Sequence, residues 1–329
     1  MSITHSFAGM KARNVLHHIP IPVLALILGV LAGGLTGLGT RRAFRDLNLP
    51  VGIWPGVFTV LGAVTAAGFV MLVLLGHSQS TPEVLPPDGW REARALYHVT
   101  LIILLLIITA TDLRSYYILT WCCQAGLVIA VCGAVFSGQF QLAHVWVDWN
   151  AEIPQLQGPY LPAWLSAHPH LHGLAWSLAG MTCGILLTGI VRWISAWMLG
   201  MQALGAGDVW LMAMAGAYLG WQPVVVATLL APLLALGIGG GERLLGNRAA
   251  IPYGPFLALA CLIVLFCWRW IWMAELALTS QGHDNRASVF SVRRFFGDPW
   301  QLLLIAGFSL GLLILLLGLL QVWKSLGRS

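Results

Sequence analysis

Long, nearly uninterrupted apolar runs dominate this chain, in place of apolar residues spaced along one helix face. About 20 such residues carry a helix across the hydrocarbon core of a bilayer. The runs predict helices over 19–39, 54–76, 97–112, 116–137, 172–199, 208–221, 223–241, 253–274 and 301–323. The predicted fold class is all-α, a polytopic transmembrane helix bundle of about eight or nine spans. The run at 208–221 is short, which puts Asp208 at or just inside one membrane face. Tight connections at Trp221-Gln222-Pro223 and around Arg114 predict antiparallel neighbours. Three segments follow: a two-helix membrane segment at 1–90, a membrane core at 91–275, and a loop with an extra helix at 276–329.

Composition narrows the class further. The chain has 329 residues, 58% hydrophobic and only 9% charged, against about 25% charged in soluble domains. A single water-soluble core is excluded. The net charge of +5 raises the question of nucleic acid, but the basic residues are scattered between apolar runs and form no groove-lining cluster. They read as topology signals, with the lipid bilayer as the partner and no nucleic acid. Arg41, Arg42, Arg45, Arg114, Arg192, Arg243, Arg248, Lys324 and Arg328 assign one common, cytosolic side. The loop 138–171, without Lys or Arg, falls outside, while Lys11, Arg13, Arg286, Arg293 and Arg294 conflict with this order. Six cysteines, none in a Cys-x-x-Cys pair, read as small apolar helix residues. The run from Ile19 to Gly39 lacks a small-residue cleavage site and reads as a retained helix.

Against this apolar background two carboxylates stand out. Asp208 follows two glycines in Gly205-Ala206-Gly207-Asp208, and Asp112 ends an apolar run in Ala110-Thr111-Asp112-Leu113-Arg114. A charged Asp at the bilayer centre costs about 2.5–3.5 kcal/mol on insertion scales. Alternating spans bring both residues to the same cytosolic face. Two carboxylates that share one proton can hydrolyse a peptide bond, one activating water and the other polarising the carbonyl. Gly205 and Gly207, lacking a Cβ, allow close approach of a substrate backbone or a partner helix. Small residues that merely pack helices together are the plainer explanation of this string taken alone. Glu242, beside Arg243, reads as a paired boundary residue.

The flanking residues add a resemblance. The stretch Leu204-Gly205-Ala206-Gly207-Asp208-Val209-Trp210-Leu211-Met212-Ala213, ending in Gly216-Ala217-Tyr218-Leu219-Gly220-Trp221, resembles a signature of the prepilin peptidases (type IV leader peptidases). Thr111-Asp112-Leu113-Arg114 with Tyr117-Ile118 resembles another, and Ile251-Pro252-Tyr253-Gly254-Pro255-Phe256-Leu257-Ala258 a third. The resemblance covers roughly residues 97–270. It implies a membrane aspartic endopeptidase of the inner membrane of bacteria. Such an enzyme removes the leader of type IV prepilin or pseudopilin precursors at the cytosolic face, without metal, nucleotide or other cofactor. Asp112 and Asp208 take the catalytic positions, supported by Gly205, Gly207, Arg114, Pro252, Gly254 and Pro255. The chain departs from the family at Trp210, usually Lys, and at Leu119, usually Pro. It also lacks the Cys-rich cytosolic domain between the first two helices that accompanies N-methylation, so the resemblance implies peptidase activity and leaves methylation in doubt.

Other readings stay open at this level. An inactive family member would serve as an assembly factor. A proton-coupled transporter would place its carboxylates near mid-membrane. A presenilin-type protease pairs its Gly-x-Gly-Asp with Tyr-Asp and Pro-Ala-Leu blocks, which this chain lacks. His144, His168, His170 and His172, with Trp146, Trp149 and Trp164, predict an external interfacial loop. Trp268, Trp270 and Trp272 around Arg269 predict an aromatic belt. Gly239-Gly240-Gly241 fits no phosphate-binding loop.

Overall fold

The structure is a computed structural model, and it describes residues 19–87, 89–147, 164, 167–200, 204–239, 252–278 and 288–326. Eight main helices run in chain order: α1 (Ile21–Asp46), α2 (Trp54–Leu74), α3 (Trp90–Ser115), α4 (Thr120–Ser137), α5 (Pro169–Leu199), α6 (Ala206–Leu219), α7 (Trp221–Leu234) and α8 (Gly254–Trp272). A short ladder of β1 (Glu275–Leu278) and β2 (Ser288–Ser291), a single turn α9 (Val292–Phe295) and the long α10 (Pro299–Leu326) complete the described chain. All of these helices except α6, α9 and α10 are long and apolar enough to span a membrane, α7 by its π-helical continuation Ala235–Gly239, and the first part of α10, Pro299–Gly311, is a shorter apolar helix. The all-α bundle predicted from the apolar runs is therefore present. The antiparallel β1–β2 ladder, with Glu275 opposite Ser291, is a small addition that the runs do not predict.

Helix boundaries depart from the apolar runs where a buried charge or a turn intervenes. α3 begins at Trp90, not at 97, because Arg94 is buried and its guanidinium donates to the carbonyls of Gln79 (3.1 Å) and Gln141 (3.3 Å). The turn between α6 and α7 is at Gly220, whose φ of 87° is accessible to glycine at little strain, and Trp221-Gln222-Pro223 form the first turn of α7. A Cβ on Gly220 would collide with the indole of the buried Trp176. The aromatic belt shrinks to Trp270. Trp268 and Trp272 lie four residues apart on the inner face, stacked at 5.1 Å, and donate to Leu142 O and to the Glu83 carboxylate. The histidines do not form one loop either. Pro169 starts α5 and carries His170 and His172 into its first turn. His144 lies apart from them in sequence, bonded to the Glu83 carbonyl at 2.8 Å. Trp149 and Glu242 lie outside the described residues.

Two tight seams organise the bundle. Lipid tails are as apolar as leucine, so helices in a membrane associate through close packing and interhelical hydrogen bonds. Gly29 and Gly33 of α1 meet backbone carbonyls of α2, Ala63 O and Thr59 O. Gly180 and Gly184 of α5 press against the carbonyls of Gly216 and Met212 in α6, and Gly216 presses back on Gly180. Ser177 adds a hydrogen bond to Ala217 O at 2.9 Å, and Thr100 on α3 one with the Tyr218 hydroxyl at 2.8 Å. Packed in this way, residues 211–220 of α6 and its far-end turn are all buried. A 14-residue helix is about 21 Å long, short of a bilayer core of about 30 Å. α6 is instead enclosed by the helices around it. α10 differs: most of its described side chains are exposed, and Gly318 reaches Met198 of α5.

Adding a methyl group to the α5–α6 seam should separate the two backbones. Gly216→Ala should destabilise the protein by about 1–3 kcal/mol, read as a lower thermal midpoint in detergent. Ala substitution at Gly34, which faces open space, should not do so.

Candidate active site

The second carboxylate sits where α6 begins. Gly205 is the N-cap of α6, so Asp208 occupies the third helical position. From there its carboxylate reaches back and accepts the Gly205 N–H at 2.8 Å, the returning half of a capping box. The N-terminal end of a helix favours such a negative group. Gly205 itself has φ −72° and ψ 162°, open to any residue. The conformational freedom expected of the Gly-Ala-Gly turn is therefore not used at its first glycine. Gly207 is needed for another reason, close approach: a Cβ there would lie 2.6 Å from the Ile118 Cβ.

Asp112 comes from the last turn of α3. Its carbonyl accepts the Tyr116 N–H at 2.9 Å, and Tyr116, at φ 56°, turns the chain into the short link to α4. The Asp112 side chain lies against Gly254 at the start of α8, where a Cβ would strike the carboxylate and approach the Ile118 Cδ1 to 3.0 Å. The Gly254 N–H faces this carboxylate and bonds to it. Ile118 thus wedges between the first turns of α6 and α8, and the two carboxylates are close enough for their charges to interact. Asp112 is 5% exposed and Asp208 7%. Gly205 and Ala206 beside them are exposed, so the junction opens at that edge.

Of the residues singled out in the sequence, Asp112, Asp208, Gly205, Gly207 and Gly254 meet at this junction. Pro252 is buried just before α8, and Pro255 stands at its first positions, where a missing N–H leaves no bond broken. Arg114 is not at the carboxylates. Its guanidinium lies 5.5 Å over the Trp54 ring, as Arg42 does over Trp121. Leu119 holds a φ of −70°, the value a proline ring would impose. That departure therefore leaves the backbone path unchanged. Trp210 is on the exposed side of α6, 38% accessible. Three residues that the sequence does not single out as site residues complete the surroundings. Ile118 is the wedge. Arg192 of α5 donates to Leu204 O at 3.0 Å. Tyr253 lies near Asp208, and burial together with that carboxylate pushes its phenol up to about 12. Among the described residues, no group of three or more His, Cys, Asp or Glu side chains could hold a metal ion. An apolar lateral groove of about 660 Å³, lined by Val145, Trp146, Leu178, Cys183 and Trp221 among others, lies toward the opposite end of the bundle.

With this geometry in view, residues 154–240 match the type IV leader peptidase family. The match includes Gly205, Gly207 and Asp208 but stops short of Asp112 and Gly254, and so is narrower than the 97–270 suggested by the sequence blocks. A prepilin leader peptidase/N-methyltransferase of Aeromonas salmonicida is 32% identical over 120 residues, 36% of this chain and 38% of the relative. One from Pseudomonas aeruginosa is 36% identical over 92 residues, 27% and 32% of the two chains. One from Escherichia coli K12 is 40% identical over 72 residues, 21% and 32%. The chain thus covers less than two fifths of the length of these relatives. No solved structure matches it.

Gly205 and Gly207, both within the matched segment, should respond differently to Ala. Gly207→Ala must displace Ile118 and should lower stability by about 1–3 kcal/mol. Gly205→Ala, exposed and at an ordinary φ, should stay within about 0.5 kcal/mol of the parent. Thermal unfolding of the two variants side by side reads the difference.

Proposed function

We propose that this protein is a membrane aspartic endopeptidase that removes the leader of type IV prepilin or pseudopilin-like precursors at the cytosolic face of a bacterial inner membrane. The observation that carries the proposal is the meeting of Asp112 and Asp208, from two different helices, at one buried junction that opens at Gly205-Ala206. The family match over Asp208 supports the reaction class.

In this mechanism the pair holds one proton, because two negative charges this close in a poorly solvated site repel strongly. The ionised carboxylate takes a proton from a water as that water attacks the scissile carbonyl carbon. The protonated carboxyl donates to the carbonyl oxygen, and the tetrahedral species collapses as the leaving amine is protonated. A precursor helix hides its carbonyls in its own hydrogen bonds, so the cleaved segment must be extended. The exposed Gly205-Ala206 edge is where such a segment would enter. Arg42 and Arg114 lie at the Asp112–Asp208 end, next to the short links 47–53 and 116–119, which supports a cytosolic orientation for that end. The link 47–53 is too short to hold a further domain between α1 and α2, and the proposed reaction is peptide cleavage alone.

Asp112→Asn and Asp208→Asn should each lower leader removal from a co-expressed prepilin by at least about 100-fold while the protein still inserts in the membrane. Gel mobility of the pilin and recovery of the variant in the membrane fraction measure both. Normal processing by either variant would overturn the proposal.

A further inference from the structure

Arg192 is the one cation of α5, and its surroundings are specific. It sits near the end of α5 that leads to the junction, part-buried, and one guanidinium nitrogen donates to Leu204 O at 3.0 Å. The other end of that same peptide group is the Gly205 N–H, which donates to the Asp208 carboxylate at 2.8 Å. A single peptide group therefore joins the cation to the carboxylate. The Arg192 charge also reaches Asp208 directly. Among the described residues Asp112 has no such neighbour. It stands at the C-terminal end of α3, where the helix dipole disfavours negative charge, and among those residues the Gly254 N–H and the Asp208 charge bear on it beyond its burial. Among the described residues, the groups facing Asp208 from the elements around it are Asp112 of α3, Arg192 of α5 and Tyr253 ahead of α8. Arg192 is the cation among them.

We propose that Arg192 is a positioning residue that clamps the Leu204–Asp208 turn and keeps the negative charge of the carboxylate pair on Asp208, leaving the shared proton on Asp112. This rests on the peptidase reading for its role in catalysis. Its structural part, which carboxyl group holds the proton, stands apart from cleavage. Under this assignment Asp208 activates the water and Asp112 protonates the carbonyl. Arg192 supplies both the N–H that holds Leu204 O and the positive charge; Lys at this position keeps the charge and an N–H donor.

Two readouts test it on the full-length protein in membranes. Dicyclohexylcarbodiimide reacts with protonated carboxyl groups in apolar surroundings, and mass spectrometry locates the adduct. The parent should be labelled at Asp112 and not at Asp208. Arg192→Gln should bring label to Asp208, and Arg192→Lys should keep the parent pattern. In prepilin cleavage, Arg192→Gln should lower kcat on the order of 100-fold with little change in KM and should shift the pH profile, while Arg192→Lys should recover most of the rate. Label on Asp208 in the parent, or a pattern unchanged in Arg192→Gln, would overturn the proposal even if the parent cleaves prepilin. A parent that labels at Asp112 alone, changes as expected in Arg192→Gln, and cleaves no prepilin would overturn the peptidase reading and leave the role of Arg192 standing.

Discussion

Backbone-to-backbone contact between α5 and α6 is the constraint on which the rest of the molecule depends. Gly180, Gly184 and Gly216 leave no side chain between the two helices, so carbonyls of one lie directly on the other. In a bilayer, where apolar side chains gain nothing by leaving lipid for protein, such contact is what holds helices together. It lets a helix too short to span the membrane sit in the middle of the bundle. That in turn brings a carboxylate on its first turn to the end of α3, a place that neither chain segment would reach alone.

The same economy of side-chain volume governs the junction. Gly207 and Gly254 are absent side chains facing one isoleucine, Ile118, and the wedge it forms fixes the spacing of three helix ends. Asp112 and Asp208 are held by different means. One packs on the start of α8; the other closes its own helix N-terminus through the Gly205 N–H. Two like groups in unlike surroundings are what a pair needs if one is to hold a proton and the other a charge.

Much of this is legible in the chain. The apolar runs locate the helices, and the two acidic residues at run ends are the pair that the structure brings together. What the runs do not contain is anything set by partners distant in sequence. Arg91, Glu92 and Arg94 hide the first two turns of α3, because a window of hydropathy cannot know that carbonyls of Gln79 and Gln141 will receive a buried arginine. Trp268 and Trp272 read with Trp270 as an interfacial belt, although their spacing of four puts them on one helix face and Trp270 on another. Arg192 reads as a topology marker because nothing local connects it to Leu204, twelve residues on. The two strands of the β1–β2 ladder are four residues each, too short for periodicity to carry a signal.

The central claim is that Asp112 and Asp208 face one another across a single junction. Combining Asp112→Cys with Asp208→Cys, in a chain whose six native cysteines have been removed, allows the claim to be tested in the membrane with the shortest bifunctional thiol reagents. Rapid intramolecular bridging of the two introduced thiols is the expected result, with no bridge from either of them to a cysteine placed instead at the exposed Phe136, at the far end of α4. Two introduced thiols that each react with a monofunctional reagent yet never bridge would contradict it.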